Sequence, residues 1–221
     1  MEYKTISQMF LNTTSEYSSK YLYYYKKNND WIGIKGSDVR ATVRNIASGL
    51  RSIDIGLGDN VAILSTNSPR WAMSDFGVIC NGSATVTVYP TLLSAQIEYI
   101  LNNSDSRAVF VENQEQLNKI NDIRENLTTL KHVIVMDDSL SEETEGASNF
   151  IDFLDMGQKY EEKNSFSLSE ISSQIKEDDL LTIIYTSGTT GIPKGIVRDI
   201  GGHIVALKWT MKNIYNINPD D

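Results

Sequence analysis

One segment of the chain combines glycines, hydroxyl side chains and a lysine, the residue types that bind phosphate. It reads Tyr185-Thr186-Ser187-Gly188-Thr189-Thr190-Gly191-Ile192-Pro193-Lys194-Gly195. Gly188 and Gly191 carry no Cβ, so the backbone N–H groups around them can approach an anion closely. Lys194 adds a mobile positive charge that suits phosphate. Further hydrogen-bond donors are the hydroxyls of Thr186, Ser187, Thr189 and Thr190. The segment therefore predicts a polyphosphate-binding loop.

The spacing separates this loop from two common nucleotide-binding motifs. A Walker A loop places lysine directly after glycine, in the order Gly-x4-Gly-Lys-Ser/Thr, whereas two residues separate Gly191 from Lys194. The dinucleotide-binding pattern Gly-x-Gly-x-x-Gly is also absent. On composition alone, the alternative interpretation is a solvated turn rich in glycine and threonine.

The loop follows an apolar run, and four similar runs precede it along the chain. They are rich in β-branched residues and mostly do not alternate with polar ones, which is typical of strands buried on both faces. The five runs cover residues 61–64, 84–88, 108–111, 132–136 and 181–185. Helical spacing between them indicates βαβ units. We therefore predict an α/β fold with a mainly parallel, twisted sheet flanked by helices on both faces.

Three segments between the runs have the spacing of amphipathic helices. Residues 43–50 follow Ser37, a candidate N-cap, and residues 94–101 form a second such segment. A third helix is expected to begin at Pro69, directly after Ser68. Its predicted buried stripe is Ala72, Phe76, Ile79 and Cys80.

Two regions fit this pattern less well. Residues 137–179 are acidic and polar, and we interpret them as a surface excursion with one short helix. The apolar residues of that helix are Ile151, Phe153, Leu154 and Met156. An aromatic cluster near the start of the chain favours packing in the core or between subunits over ligand stacking. It consists of Tyr21, Tyr23, Tyr24 and Tyr25.

Composition excludes several classes of protein. The 221 residues carry a net charge of −9 with no evident Lys/Arg cluster, so the basic footprint of a nucleic-acid binder is missing. The chain has one cysteine, Cys80, so it cannot form an internal disulfide. Together with only two histidines, that cysteine is too few ligands for a structural zinc site. The N-terminus lacks the apolar region of a signal peptide, and no apolar run approaches the about 20 residues that span a bilayer. These features favour a cytoplasmic protein.

The complete loop resembles the signature phosphate loop of the adenylate-forming (AMP-binding) enzymes, which include the acyl-CoA synthetases, firefly luciferase and the adenylation domains of peptide synthetases. Other segments resemble the same superfamily. Residues 56–63 are similar to the pattern G-x-x-G-D-x-V-A-I of that superfamily. Residues 67–71 are similar to N-x-P-E-W, with Arg70 in place of the glutamate. Residues 89–92 and 97–101 are similar to Y-P-T-L and I-x-Y-I-L, respectively. Up to about residue 196 the chain resembles long-chain fatty acyl-CoA synthetases. Residues 197–219 instead resemble propionyl- and acetyl-CoA synthetases.

The resemblance implies that residues 1–221 are a partial N-terminal, AMP-binding domain of an ATP-dependent acyl-CoA synthetase, without its C-terminal domain. Such enzymes convert a fatty or short-chain carboxylic acid, ATP and CoA into acyl-CoA, AMP and pyrophosphate through an acyl-adenylate. The expected Y-G-x-T-E segment and the catalytic lysine do not occur here, so the catalytic residues are unknown and we expect the chain alone to be inactive. The alternatives are a non-catalytic pseudoenzyme or interaction module, and a simple nucleotide-phosphate binder.

The resemblance also implies ligands and partners. The loop, from Thr186 to Lys194, would hold ATP or pyrophosphate. Mg²⁺ would accompany ATP without a ligand from this chain, and CoA and the carboxylic acid would be substrates of the full-length parent. Peripheral membrane attachment of that parent stays open. We also expect self-association through exposed apolar surface, with Trp209 and Met211 as contacts. Left without a role are Arg198, Asp199 and His203.

Overall fold

The computed structural model describes residues 3–138, 146–186 and 194–215. Within these ranges the chain forms nine strands and eight α-helices. The strands are β1 (Tyr21–Lys27), β2 (Asp30–Lys35), β3 (Asn60–Leu64), β4 (Ala84–Val88), β5 (Ser106–Val111), β6 (His132–Val135), β7 (Ser148–Asn149), β8 (Leu180–Thr186) and β9 (Lys194–Asp199). The helices are α1 (Ile6–Glu16), α2 (Gly36–Ser52), α3 (Pro69–Cys80), α4 (Ser94–Asn103), α5 (Gln114–Asp122), α6 (Phe150–Asn164), α7 (Leu168–Gln174) and α8 (Ile200–Asn213).

Seven of these strands form one sheet in the order β7-β6-β5-β3-β4-β8-β9. Neighbouring strands are parallel except for the antiparallel pair of β8 and β9. The five apolar runs are all strands of this sheet, so the predicted α/β fold is confirmed. Because parallel strands point the same way, the carboxyl ends of β3, β4, β5, β6 and β8 meet along one edge.

Side chains of the central strand β3 alternate between two apolar layers. In β3, Val61 and Ile63 pack in a cluster with α2, α3 and α6. Ala62 and Leu64 pack in a second cluster, which includes α4 and α5. All four are fully buried, so the sheet is covered on both faces at β3, which therefore needs apolar residues at consecutive positions.

The prediction of a surface excursion over residues 137–179 is wrong for α6. Phe153 is 1% exposed, and its ring lies 5.6 Å from that of Phe110 in β5. At Gly157 a Cβ would lie only 2.0 Å from the backbone oxygen of Asn45 in α2. The stripe of Phe150, Phe153 and Gly157 therefore holds α6 closely against α2, although acidic neighbours obscure it in the sequence.

The predicted helix starts have different outcomes. Ser68 is the N-cap of α3, because its Oγ accepts from the Trp71 N–H at 3.1 Å, and Pro69 is the first helical residue, as predicted. Ser37 is not the cap of α2. That helix already begins at Gly36, and Lys35 occupies the cap position without a side-chain hydrogen bond. The last residue of β2 thus leads directly into the helix.

The buried stripe predicted for α3 is only partly correct. Ile79 and Cys80 are buried, whereas Ala72 and Phe76 are half-buried. Other buried apolar residues of this helix are Met73 and Val78.

The aromatic cluster near the start of the chain lies in β1, which pairs with β2 as a separate antiparallel hairpin. Tyr23 is half-buried against the core, and burial raises its pKa. Tyr21 and Tyr24 are exposed, so core packing holds for only part of the cluster. Among the described helices, none is long and apolar enough to cross a membrane.

Candidate functional site

The predicted phosphate loop connects β8 to β9. In the pairing of these strands, Thr186 lies opposite Lys194, and Tyr185 lies opposite Gly195. The two ends of the loop are therefore fixed next to each other at the carboxyl end of β8. Lys194 is exposed there, at the first position of β9. The other predicted site residues lie outside the part of the chain that the structure describes. They are Ser187, Gly188, Thr189, Thr190 and Gly191.

Strand β8 is anchored on both sides just before the loop. The Tyr185 hydroxyl donates to Asn103 Oδ1 at 2.7 Å, and its ring meets Tyr99 edge-on at 6.4 Å. Burial raises the pKa of Tyr185, so the hydroxyl stays protonated as a donor. Earlier in the strand, Thr182 Oγ1 donates to the backbone oxygen of Thr85 in β4 at 2.9 Å. These contacts give the loop a rigid base.

A cleft of about 510 Å³ lies at the carboxyl ends of β3, β4 and β8. Ile184 of β8 forms part of its wall, two residues before Thr186, where that strand ends. Ligands of open α/β sheets bind outside the carboxyl ends of the strands, at the point where the strand order reverses. The remaining lining residues are Ser65, Thr66, Asn67, Trp71, Thr87, Val88, Tyr89, Pro90 and Thr91.

Two polar side chains from neighbouring elements, Glu112 and Lys119, hold the cleft walls. The Glu112 carboxylate accepts from the Thr66 backbone N–H at 2.9 Å and from its hydroxyl at 2.7 Å. On the other wall, Lys119 Nζ donates to the Pro90 carbonyl at 2.5 Å and pairs with Glu115 at 3.4 Å. The segments that follow β3 and β4 are thus tied to β5 and α5.

The residues after β9 form a helix start. Asp199 caps α8, because its Oδ1 accepts from the Gly202 N–H at 2.5 Å. Arg198 Nη1 lies 3.3 Å from His203 Nδ1. Burial, followed by the Arg198 charge, lowers the pKa of His203, so the imidazole is neutral at pH 7. These contacts give Asp199 a structural role and assign no chemistry to the other two residues.

The sequence predicted the loop but did not predict the cleft. The hydroxyl side chains of Thr66, Thr87 and Thr91 stand at or just after the ends of apolar runs, and that is the signal that could have found them. Their convergence depends on the order of the strands in the sheet. No group of three or more His, Cys, Asp or Glu side chains in the described residues is arranged to hold a metal ion.

The chain is similar to known proteins both in sequence and in fold. The family model described as "AMP-binding enzyme" matches residues 14–221. Among curated proteins, the long-chain-fatty-acid–CoA ligase ACSBG2 of Xenopus laevis is 31% identical over 193 residues, which are 87% of this chain and 26% of that protein. The chain therefore spans about a quarter of the length of the curated relatives it matches.

Two solved structures show the same fold. The anthranilate CoA ligase AuaEII, in complex with anthranoyl-AMP, matches with a TM-score of 0.81 at 23% identity, over 96% of this chain and 38% of that one. Acetoacetyl-CoA synthetase from Streptomyces lividans matches with a TM-score of 0.83 at 17% identity, over 97% of this chain and 33% of that one.

Proposed function

Because the chain belongs to the AMP-binding enzyme family, we propose that it forms the phosphate-binding part of an ATP-dependent acyl-CoA ligase. The observation that carries this proposal is the location of the 186–194 loop. Both of its ends are fixed at the carboxyl end of β8, beside a cleft large enough for a substrate. The relatives named as long-chain-fatty-acid–CoA ligases support a carboxylic acid as the substrate class.

The proposed reaction has two steps, adenylation of the carboxylic acid and transfer of the acyl group to CoA. In the first, the carboxylate attacks the α-phosphorus of ATP, and pyrophosphate leaves as the acyl-adenylate forms. In the second, the CoA thiol attacks the acyl carbon, loses its proton and displaces AMP. Phosphoryl chemistry of this kind depends on positioning and on neutralisation of charge. The loop would contribute by holding the departing pyrophosphate.

The described residues suit that contribution. Lys194 can place an ammonium group at the mouth of the loop, and charge-assisted hydrogen bonds to phosphate oxygens are stronger than neutral ones. Mg²⁺ would bind mainly through the ATP phosphates, as it does in many nucleotide sites, and we assign it no ligand from this chain. The cleft lined by Trp71, Tyr89 and Ile184 would hold the non-phosphate part of a substrate.

Titration calorimetry with pyrophosphate and with ATP tests this function. Hydrogen bonds to charged groups contribute about 1.5–3 kcal/mol, so Lys194→Ala should weaken binding about ten- to a hundredfold. Lys208→Ala on α8 is the matched control, because it removes an equal charge from another exposed position. Failure of the unaltered chain to bind either ligand, or equal binding by Lys194→Ala, would contradict the assignment of the loop.

A further inference from the structure

The hairpin of β1 and β2 presents one face to the core and the other to solvent. Its inward face includes Tyr23 and Ile34, which pack against the buried cluster. Residues paired across antiparallel strands share a face. Tyr24 is paired with Gly33, and Lys26 is paired with Trp31, so these residues lie on the outward face.

The outward face carries large aromatic side chains that are open to solvent. Trp31 is 69% exposed, Tyr24 is 58% exposed and Tyr21 is 52% exposed. Monomeric proteins seldom leave several large aromatic side chains together in water without a use for them. Tyr21, Tyr24, Lys26, Trp31 and Lys35 are named here the hairpin face.

Gly33 gives this face its shape. A Cβ at Gly33 would lie 2.5 Å from Cδ1 of Tyr21 and 2.8 Å from its Cγ. The missing side chain therefore lets the Tyr21 ring lie over the strand, where its centroid is 5.7 Å from that of Tyr24. The aromatic surface is thus already formed in the folded chain.

The charge around the hairpin is opposite in sign to that of the whole protein. Residues 17–35 contain four lysines and one aspartate, whereas the complete chain has a net charge of −9. In the part of the chain that the structure describes, none of the four lysines forms an ion pair with a carboxylate. All four are exposed, and they are Lys20, Lys26, Lys27 and Lys35.

We propose that the hairpin face docks on the surface of an anionic lipid bilayer. Tryptophan and tyrosine favour the membrane–water interface, because their rings are apolar and their N–H and O–H groups remain hydrogen-bonded. Lysine stems extend along an apolar surface while their ammonium groups reach the phosphates. The two lysines of the hairpin face lie toward opposite ends of the hairpin, because Lys35 pairs with Tyr21 and Lys26 pairs with Trp31.

The geometry favours a lipid surface over single-stranded nucleic acid. Proteins that bind single strands line a groove along which the backbone runs, with bases stacked on aromatic rings. Here the rings lie on one face of a two-stranded hairpin that projects beside the core. The proposal is independent of the proposed ligase function, because docking requires neither ATP nor a carboxylic acid.

Flotation with phosphatidylcholine vesicles, with and without phosphatidylserine, tests the proposal. The chain should bind the vesicles that contain phosphatidylserine and be released by salt. Each lysine near such a surface contributes about a fivefold gain in partitioning, so Lys26→Gln with Lys35→Gln should reduce binding about thirtyfold. The matched control is Lys208→Gln with Lys212→Gln on α8, which should bind like the unaltered chain.

Tryptophan fluorescence provides a second measurement that does not depend on the lysine variants. With Trp71→Phe and Trp209→Phe, Trp31 is the remaining tryptophan of the three. Its emission should shift to the blue on vesicles containing phosphatidylserine and be quenched by brominated lipid. Circular dichroism of each variant verifies that it is folded.

Three results would overturn the proposal. The first is vesicle binding that is unchanged by the Lys26 and Lys35 substitutions. The second is a Trp31 emission that does not respond to phosphatidylserine but does respond to single-stranded DNA. The third is concentration-dependent dimerisation that Trp31→Ser abolishes, since a second copy of the chain would then cover the face.

Discussion

Gly157→Ala should destabilise the protein, although the same change in an ordinary helix stabilises it. Gly157 lies inside α6, where alanine is favoured over glycine by about 1 kcal/mol. The added Cβ, however, would lie 2.0 Å from the Asn45 backbone oxygen and 2.8 Å from the Gly49 nitrogen. Both neighbours belong to the backbone of α2, so no side-chain rotation relieves the contact.

The expected magnitude follows from this distance. A Cβ contact below 3.0 Å forces something to shift, so α6 must move about 1 Å away from α2 and loosen the packing of Phe153. Overpacking costs about 1–3 kcal/mol, and a contact with backbone atoms places this substitution in the upper part of that range, at about 2–3 kcal/mol, which exceeds the gain in helix propensity. We expect a net loss of about 1–2 kcal/mol, and therefore a melting temperature lower by about 2–8 °C in a chain of this size.

Urea unfolding followed by circular dichroism measures the change in the free energy of unfolding. The matched control is Asp155→Ala, at an exposed position of the same helix, which should leave stability unchanged or raise it slightly. If Gly157→Ala proved as stable as the original chain or more stable, the close packing of α6 on α2 would be refuted.

Two further predictions concern titratable groups of α3. Burial raises the pKa of Asp75 in α3 to about 6, from 3.8. The pKa of this carboxyl is higher in the folded than in the unfolded chain, so its stabilising contribution is complete below the unfolded pKa and is lost as the pH rises through the folded pKa. Asp75→Asn should therefore stabilise the chain by about 2–3 kcal/mol near pH 7.5 and hardly at all near pH 4. Urea midpoints at the two pH values measure this, and an equal effect at both would refute it. Burial raises the pKa of the Cys80 thiol to about 12, so a thiol reagent at pH 8 should label Cys80 only after unfolding, and rapid labelling of the native chain would be the contrary result.

The central sheet was predictable because its strands carry their own signal. Buried parallel strands need apolar residues on both faces, and the runs ending at Leu64, Val88 and Val111 have them. The hairpin of β1 and β2 was not predicted, because adjacent tyrosines in β1 conceal which side chains point inward. Its basic character is readable in the contiguous segment 17–35, but only the strand pairing shows which of these lysines share a face with the exposed aromatic rings.

The candidate site was likewise predictable only in part. The loop is a continuous segment, so its composition and spacing suffice to predict a phosphate site, which stays a prediction for the residues between Thr186 and Lys194. The cleft is assembled from the ends of β3, β4 and β8, and its lining follows from a strand order that no local pattern contains. The change of resemblance near residue 196, from long-chain to short-chain synthetases, also stays a prediction. The pairing of β8 with β9 continues on both sides of that position, at Ile196 and Val197, and shows no structural break there.

The place of β8 in the sheet has a consequence for the order of folding. Pairing β3 with β4 brings together Asn60 and Ala84, whereas pairing β4 with β8 brings together Thr85 and Thr182, 97 residues apart. Chain closure over this longer separation costs about 1.2 kcal/mol more in entropy, and pairings between distant segments form slowly. The strand that leads into the loop is held in place only after that pairing, so the phosphate site that we propose for the loop would form late in folding, after the units around β3 to β6.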